Sequence, residues 1–390
     1  MNAPAEPVSR LLRKTKAIDI RPTRSPPAQI RVMIVDDSLT VRTIFRRMVE
    51  SDSAMQVSAS ASSAERAIAQ LRKDPVDVVL LDLEMPGIGG LQALPEILQA
   101  CDNVQVLVVS ALTEDGAEAT LKALSTGAAD TMLKPRPGGF NEEYRSQLLA
   151  KIHALGNNRA DIGEGTGDRG EAYNAPKFAV PSRSLMSKAR PEVIAIGAST
   201  GGIHALNLML RELTPDLDLP ILITQHLPAS FIPVFARQVE AASARPTHIA
   251  EEGTPIRAGE IAIATGHGHL TVRRSGERLI AKTCTQPAHS GCLPSVDPML
   301  TSLADACAGR VLAIILSGMG RDGLTGAEIL AKAGGTIWAQ DPQTSAVWGM
   351  PGAVTKAGLT RYTAAPEDLG KTVMAHLAKA EASGSTTEPS

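Results

Sequence analysis

Residues 31–37 read RVMIVDD. The four apolar residues Val32 to Val35 leave no polar edge for solvent, so both faces of such a strand must be covered. The same texture returns at Val78–Leu81 and Val106–Val109, with helical periodicity between the runs at 39–50, 62–72, 91–99 and 114–125. Near-continuous apolar strands alternating with helices predict a parallel sheet flanked by helices on both faces. A short strand near 130–133 and a helix near 141–154 complete five β/α units.

Residues 156–190 break this rhythm with GEGTGDRGE, scattered prolines and polar residues, and so read as a linker. Alternation resumes at Glu192, with strands near 193–197, 220–225, 261–264, 311–316 and 336–339. Helices follow near 203–212, 231–241, 298–307, 324–333 and 366–380. The predicted fold class is α/β, with two doubly wound domains built on parallel sheets. The expected division is a flexible basic extension at 1–29, a first domain at 30–154 and a linker at 155–190, then a second domain at 191–382 and a flexible tail at 383–390. No internal repeat is visible.

The composition narrows the function. A chain of 390 residues with 39 Lys+Arg against 41 Asp+Glu carries no global pull toward nucleic acid or anionic lipid. Aromatic residues are 3% of the total, too few for a platform that stacks single-stranded bases. Cys101, Cys284, Cys292 and Cys307 form no CxxC pair and no zinc-like array with histidine, so they read as reduced thiols. No apolar run reaches the roughly 18 residues that cross a bilayer, and no signal peptide is evident. The expectation is a soluble cytoplasmic protein, a monomer without membrane insertion.

The first domain places polar groups just beyond strand ends. Asp36 and Asp37 follow the first strand, Asp82 the third, Ser110 the fourth and Lys134 the fifth. In an open parallel sheet those ends face one crevice. Clustered carboxylates repel one another unless a hard cation joins them, and Mg²⁺ suits oxygen ligands. Asp82 is then a plausible nucleophile, with Lys134 and Ser110 placed to read an incoming phosphoryl group. Through LDLEMPGIGGLQAL and ALTEDGAEATLKALSTGAADTMLKP the region resembles the flavodoxin-like receiver domain of bacterial two-component response regulators. The resemblance implies that Asp82 accepts phosphate from a histidine kinase. It also implies that Asp36, Asp37, Asp82 and the backbone carbonyl of Glu84 organise Mg²⁺, while Ser110 and Lys134 sense the phosphoryl group. The aromatic that usually stands three residues before the lysine is Thr131 here.

The second domain opens with VIAIGASTGG, a strand followed by Gly197-Ala198-Ser199-Thr200-Gly201-Gly202 and a helix. Glycines around a serine at such a turn let the backbone bend and expose the hydroxyl at a helix N-terminus, where N–H groups can stabilise an oxyanion. His226 lies past the strand 220–224, and Asp322 lies in the glycine-rich loop after 311–316. Ser199 as nucleophile, His226 as base and Asp322 as its orienting group would form an acyl-transfer set. His267 and His269 in GHGHL lack acidic or thiol partners in sequence, which favours structural or substrate-facing roles over metal binding.

Through IGASTGG, QHLP, PSVDPML, LSGMGRDG and GGTIWAQDPQTSAVWGMP, residues 192–380 resemble the catalytic domain of the chemotaxis methylesterase family, a Rossmann-like domain that follows a receiver and a linker. The resemblance implies hydrolysis of glutamate γ-methyl esters on methyl-accepting chemoreceptors with release of methanol, and deamidation of receptor glutamines, under control of a chemotaxis histidine kinase. It assigns the triad to Ser199, His226 and Asp322, an oxyanion donor to the Met319 N–H, and to Thr200 a hydrogen bond near the histidine. No cofactor is implied for this domain. The chain departs from the family at Ile203, where proline is usual, and at Cys292-Leu293, where His-Arg is usual.

The competing class is a response regulator whose second domain only binds a partner or DNA. No basic recognition helix follows the linker, which disfavours DNA. Because Thr131 lacks the bulk of the usual aromatic, control is expected to rest on repositioning of the whole receiver, which would otherwise cover the serine.

Overall fold

The computed structural model describes residues 29–101, 103–110, 114–135, 139–157 and 190–384. The basic extension at 1–28, nearly all of the linker and the last residues of the tail lie outside the described residues.

The first sheet has strands β1 (Ile30–Val35), β2 (Met55–Ala61), β3 (Val78–Asp82), β4 (Gln105–Ser110) and β5 (Asp130–Leu133). They are ordered β2-β1-β3-β4-β5, with every pair parallel. This is the flavodoxin-like order. Every residue of β3 is buried, as its unbroken apolar run requires. Each such Val or Leu contributes about 1.5–3 kcal/mol relative to exposure. β2 has no place among the expected strands. In MQVSASA the apolar Met55, Val57, Ala59 and Ala61 alternate with polar residues, as suits a strand at the sheet edge, and no continuous apolar run announces it.

The second sheet has seven parallel strands in the order β15-β14-β13-β6-β7-β10-β8. Its centre is β13 (Val311–Ile315), β6 (Val193–Ala198) and β7 (Ile221–Gln225). Flanking these are β8 (Thr247–Ile249), β10 (Ile261–Ile263), β14 (Thr336–Gln340) and β15 (Thr360–Ala364). β8 and β15 are further strands that the apolar runs do not announce.

A larger departure is a separate antiparallel sheet in the order β11-β12-β9, from β9 (Pro255–Ile256), β11 (His269–Ser275) and β12 (Arg278–Cys284). Its hairpin pairs Ser275 with Arg278 around Gly276-Glu277, and Gly276 has φ of 59°. Glycine reaches that conformation without strain, and a two-residue loop of this kind matches the strand twist. The hairpin covers part of the helix Val296–Ala306, so the domain is mainly, not wholly, a parallel-sheet layer.

The two sheets meet through helices. The helix Glu114–Thr126 packs on the helices Gly202–Arg211 and Ile232–Ser243, and apolar side chains from both sides form one continuous core.

Candidate active site

Three adjacent strands, β13, β6 and β7, deliver Asp322, Ser199 and His226 to one edge of the second sheet. The chain crosses from one side of β6 to the other here, and ligand crevices of open α/β sheets form at such points. The turn after β6 depends on glycine. Gly201 has φ of 76° and begins the helix Gly202–Arg211. A Cβ on Gly201 would meet Ala346 Cβ at 2.5 Å, and one on Gly318 would meet Ser199 Cβ at 2.9 Å. Backbone of the Gly318 loop therefore runs directly beside the serine. Met319, the next residue, is exposed on that loop.

The Ser199 hydroxyl lies 3.1 Å from His226 Nδ1, and His226 Nε2 lies 2.8 Å from Asp322 Oδ2. With the ring proton on Nε2 facing the carboxylate, the Nδ1 lone pair accepts the serine hydroxyl. The ring nitrogens thus exchange the duties they have in chymotrypsin-like sites. Asp322 is buried, its Oδ1 accepts the Ser295 hydroxyl at 2.6 Å, and its Oδ2 accepts the Val296 N–H at 2.7 Å. Val296 opens a helix, so the carboxylate also sits at the positive end of its dipole.

Burial works to raise the Asp322 carboxyl, yet His226, Ser295 and the Val296 N–H hold it well below the usual range. For His226, burial works to lower the imidazole, but the contacts with Asp322 and Cys292 outweigh it and push it up to about 9. A base of this kind loses its proton only at alkaline pH. This shift stabilises the folded state fully below about pH 6.5, and the gain is lost as pH rises through about 9.

Sequence reasoning did not single out Ser295, Gln225 or the supporting role of His269. Gln225 donates to the Ser199 carbonyl at 3.0 Å. His269 Nδ1 accepts the Ser295 N–H at 2.9 Å, and Nε2 lies 2.8 Å from the Gln286 carbonyl. Both ring nitrogens are committed to the loop that carries Ser295, in keeping with the structural reading of that histidine. A signal was present for Ser295, the N-cap of an apolar helix in PSVDPML. Cys292, which the sequence offers as a reduced thiol and a departure from the family pattern, stands beside His226 and Asp322.

Thr200 differs from expectation. Its hydroxyl does not turn toward His226 but donates to Asp130 Oδ2 at 2.5 Å, across the junction with the first sheet. Beside it, the Gly201 N–H donates to the Ala129 carbonyl at 2.5 Å. A cavity of about 500 Å³ lies here, with Ser199 and His226 on one wall and Asp130, Thr131 and Lys134 on the other. The first sheet therefore stands across the approach to the serine.

At the end of that first sheet, Lys134 Nζ lies 2.6 Å from Asp82 Oδ2 and 2.8 Å from Asp36 Oδ2. Asp36 and Asp82 are buried and Asp37 is exposed, and one oxygen from each of the three falls within 4.8 Å of the others. Asp82 Oδ1 accepts the Glu84 N–H at 3.1 Å, and Ser110 Oγ accepts the Thr120 hydroxyl at 2.7 Å. Burial, helped by the Asp36 charge, raises the Asp82 carboxyl even against Lys134. Burial alone would lower the Lys134 ammonium, but the two carboxylates raise it. An all-oxygen set with surplus negative charge fits a hard divalent cation such as Mg²⁺.

A CheB methylesterase family model matches residues 194–373, and a response regulator receiver domain model matches residues 32–139. A Rhodospirillum rubrum protein-glutamate methylesterase/protein-glutamine glutaminase 1 is 41% identical over 349 residues, covering 84% of this chain and 90% of its own. A Caulobacter vibrioides protein-glutamate methylesterase/protein-glutamine glutaminase 2 is 41% identical over 344 residues, covering 87% of this chain and 97% of its own. The crystal structure of the Thermotoga maritima CheB methylesterase catalytic domain aligns at 29% identity and a TM-score of 0.46, covering 47% of this chain and 97% of that one.

Proposed function

The chain belongs to the CheB methylesterase family, and from that premise we propose that it hydrolyses glutamate γ-methyl esters on chemoreceptors and deamidates receptor glutamines, under phosphorylation control. The observation that carries this reading is the continuous relay from Ser199 through His226 to Asp322. Ser199 Oγ attacks the ester carbonyl while its proton passes to His226 Nδ1. The tetrahedral oxyanion is held by the Met319 N–H in the Gly318 loop. Protonated His226 then gives its proton to the departing methoxide, and methanol leaves. With glutamine the leaving group is ammonia. Water, activated by the same imidazole, hydrolyses the acyl-enzyme and regenerates the serine. Asp322 stays ionised throughout, fixed by Ser295 and Val296.

In the receiver, which we delimit at 30–154 against a catalytic domain at 191–382, Asp82 takes a phosphoryl group from a chemotaxis histidine kinase. Asp36, Asp37, Asp82 and the Glu84 carbonyl would hold Mg²⁺, which supplies charge neutralisation when bound. Lys134 and Ser110 are the residues placed to read the phosphoryl oxygens. Asp82→Asn keeps the shape and removes the nucleophilic oxyanion, so acid-labile phosphate incorporation should vanish. Undiminished labelling would move the acceptor elsewhere.

Among the described residues no helix is long and apolar enough to cross a membrane. The reading places the chain in the cytoplasm, as a monomer, alongside the kinase and receptor tails. A pure binding module is the rival reading. Treatment with a serine-directed phosphonate decides between them, with adduct on the Ser199 peptide expected and an unmodified Ser199 contradicting catalysis.

The raised imidazole carries a pH prediction. Only neutral His226 can take the serine proton, so kcat/KM should rise through the neutral range, with an acid-limb pKa above the ordinary 6.5 and near 9. A plateau already reached at pH 6.5 would contradict the assignment.

A further inference from the structure

Cys292 belongs to the loop between β12 and the helix Val296–Ala306, three residues before Ser295. It is partly exposed. His226, Cys292 and Asp322 come from three separate loops, yet each offers one ligand atom, and these atoms all lie within 4.8 Å of one another. Two of the three are already fixed. Asp322 is held by Ser295 and Val296, and His226 is held by Asp322. An imidazole nitrogen, a thiol sulfur and a carboxylate oxygen are the three donor types that Zn²⁺ takes, and three protein ligands leave a fourth position open. The cluster at Asp36, Asp37 and Asp82 offers oxygen alone. Donor softness therefore separates the two places, with hard cations directed to the receiver and borderline-soft ones to the catalytic loop.

We propose that His226, Cys292 and Asp322 form an inhibitory Zn²⁺ site. On binding, the Cys292 thiol releases its proton to solvent, and the metal engages the imidazole and carboxylate that serve Ser199. The hydroxyl then has no base. The inhibitory consequence rests on the esterase reading above, whereas the binding itself rests only on the ligand geometry.

The test uses the full-length chain in excess Mg²⁺, with Co²⁺ as a coloured stand-in for Zn²⁺. One equivalent of Co²⁺ should produce a thiolate-to-metal charge-transfer band that is lost in Cys292→Ala and kept in Cys284→Ala. Zn²⁺ that inhibits ester hydrolysis by the parent chain should need at least about a tenfold higher concentration to inhibit Cys292→Ala, each variant being compared with its own metal-free rate. No band, or a band that survives in Cys292→Ala, overturns the site. A Cys292-dependent band with unchanged turnover overturns the inhibition. A metal-free chain that hydrolyses nothing condemns the esterase reading, and the band still decides the site.

Discussion

Replacing Ser199 with alanine is expected to lower methyl-ester turnover by about four orders of magnitude or more while leaving the fold intact. The reason for both halves is local. On the proposed mechanism the hydroxyl makes the bond to the substrate, and neither His226 nor Asp322 can substitute for it in that position. The Cβ is already present against Gly318, so alanine introduces no new contact. The polar loss is a single hydrogen bond to His226 Nδ1. Methanol release from methylated receptor and thermal unfolding of the same preparation check the two statements together. Turnover retained at a tenth of the parent value would assign the chemistry to another residue.

The second large effect is expected at Asp130, which lies in the receiver and touches no substrate. Its Oδ2 accepts the Thr200 hydroxyl at 2.5 Å and faces the Lys151 ammonium at 2.5 Å, while the neighbouring Ala129 carbonyl takes the Gly201 N–H. These bonds fasten the start of β5 to the turn that carries Ser199. Asp130→Ala removes the side-chain half of that fastening. Turnover of the unphosphorylated chain should rise by about fivefold or more, within the span of typical coupling free energies. A fragment beginning near Met186 should likewise exceed the unphosphorylated full-length chain. If neither change raises activity, the receiver does not restrain the site by covering it, and phosphorylation must instead assemble the site. Thr131 makes the contrast. It lines the same cavity but fastens nothing through its side chain, so Thr131→Ala should alter the activation ratio by less than about threefold, or ~0.65 kcal/mol.

What the sequence made legible follows from burial. β1, β3, β4, β6, β7 and β13 are covered on both faces, so their apolar runs are unbroken and their ends can be located within a residue or two. Chemistry placed directly after such a strand is legible with it, which is why Ser199, His226 and Asp322 stand out. β2 is an edge strand in which apolar and polar residues alternate, and the β11–β12 hairpin has one open face, so neither carries an unbroken apolar run. The helix Met350–Lys356 carries little signal because it is short and holds Pro351 and Gly352 in its first turn, a pair that reads as loop.

The supporting shell was least legible. Ser295 and Cys292 reach Asp322 and His226 only because a loop between β12 and a helix folds back over the sheet edge. That approach is a product of tertiary packing, and no local spacing encodes it. Thr200 shows the same limit in reverse. Its neighbours in sequence point to the active site, but the receiver supplies a stronger partner in Asp130.

The most direct measurement is methanol released from methylated chemoreceptor by the full-length chain, its Ser199→Ala variant and its Asp82→Asn variant, each with and without a small-molecule phosphodonor in Mg²⁺. The predicted result is release by the parent chain that the phosphodonor stimulates, none above background from Ser199→Ala, and unstimulated release from Asp82→Asn. Release by Ser199→Ala at a rate comparable to the parent would contradict the account at its centre.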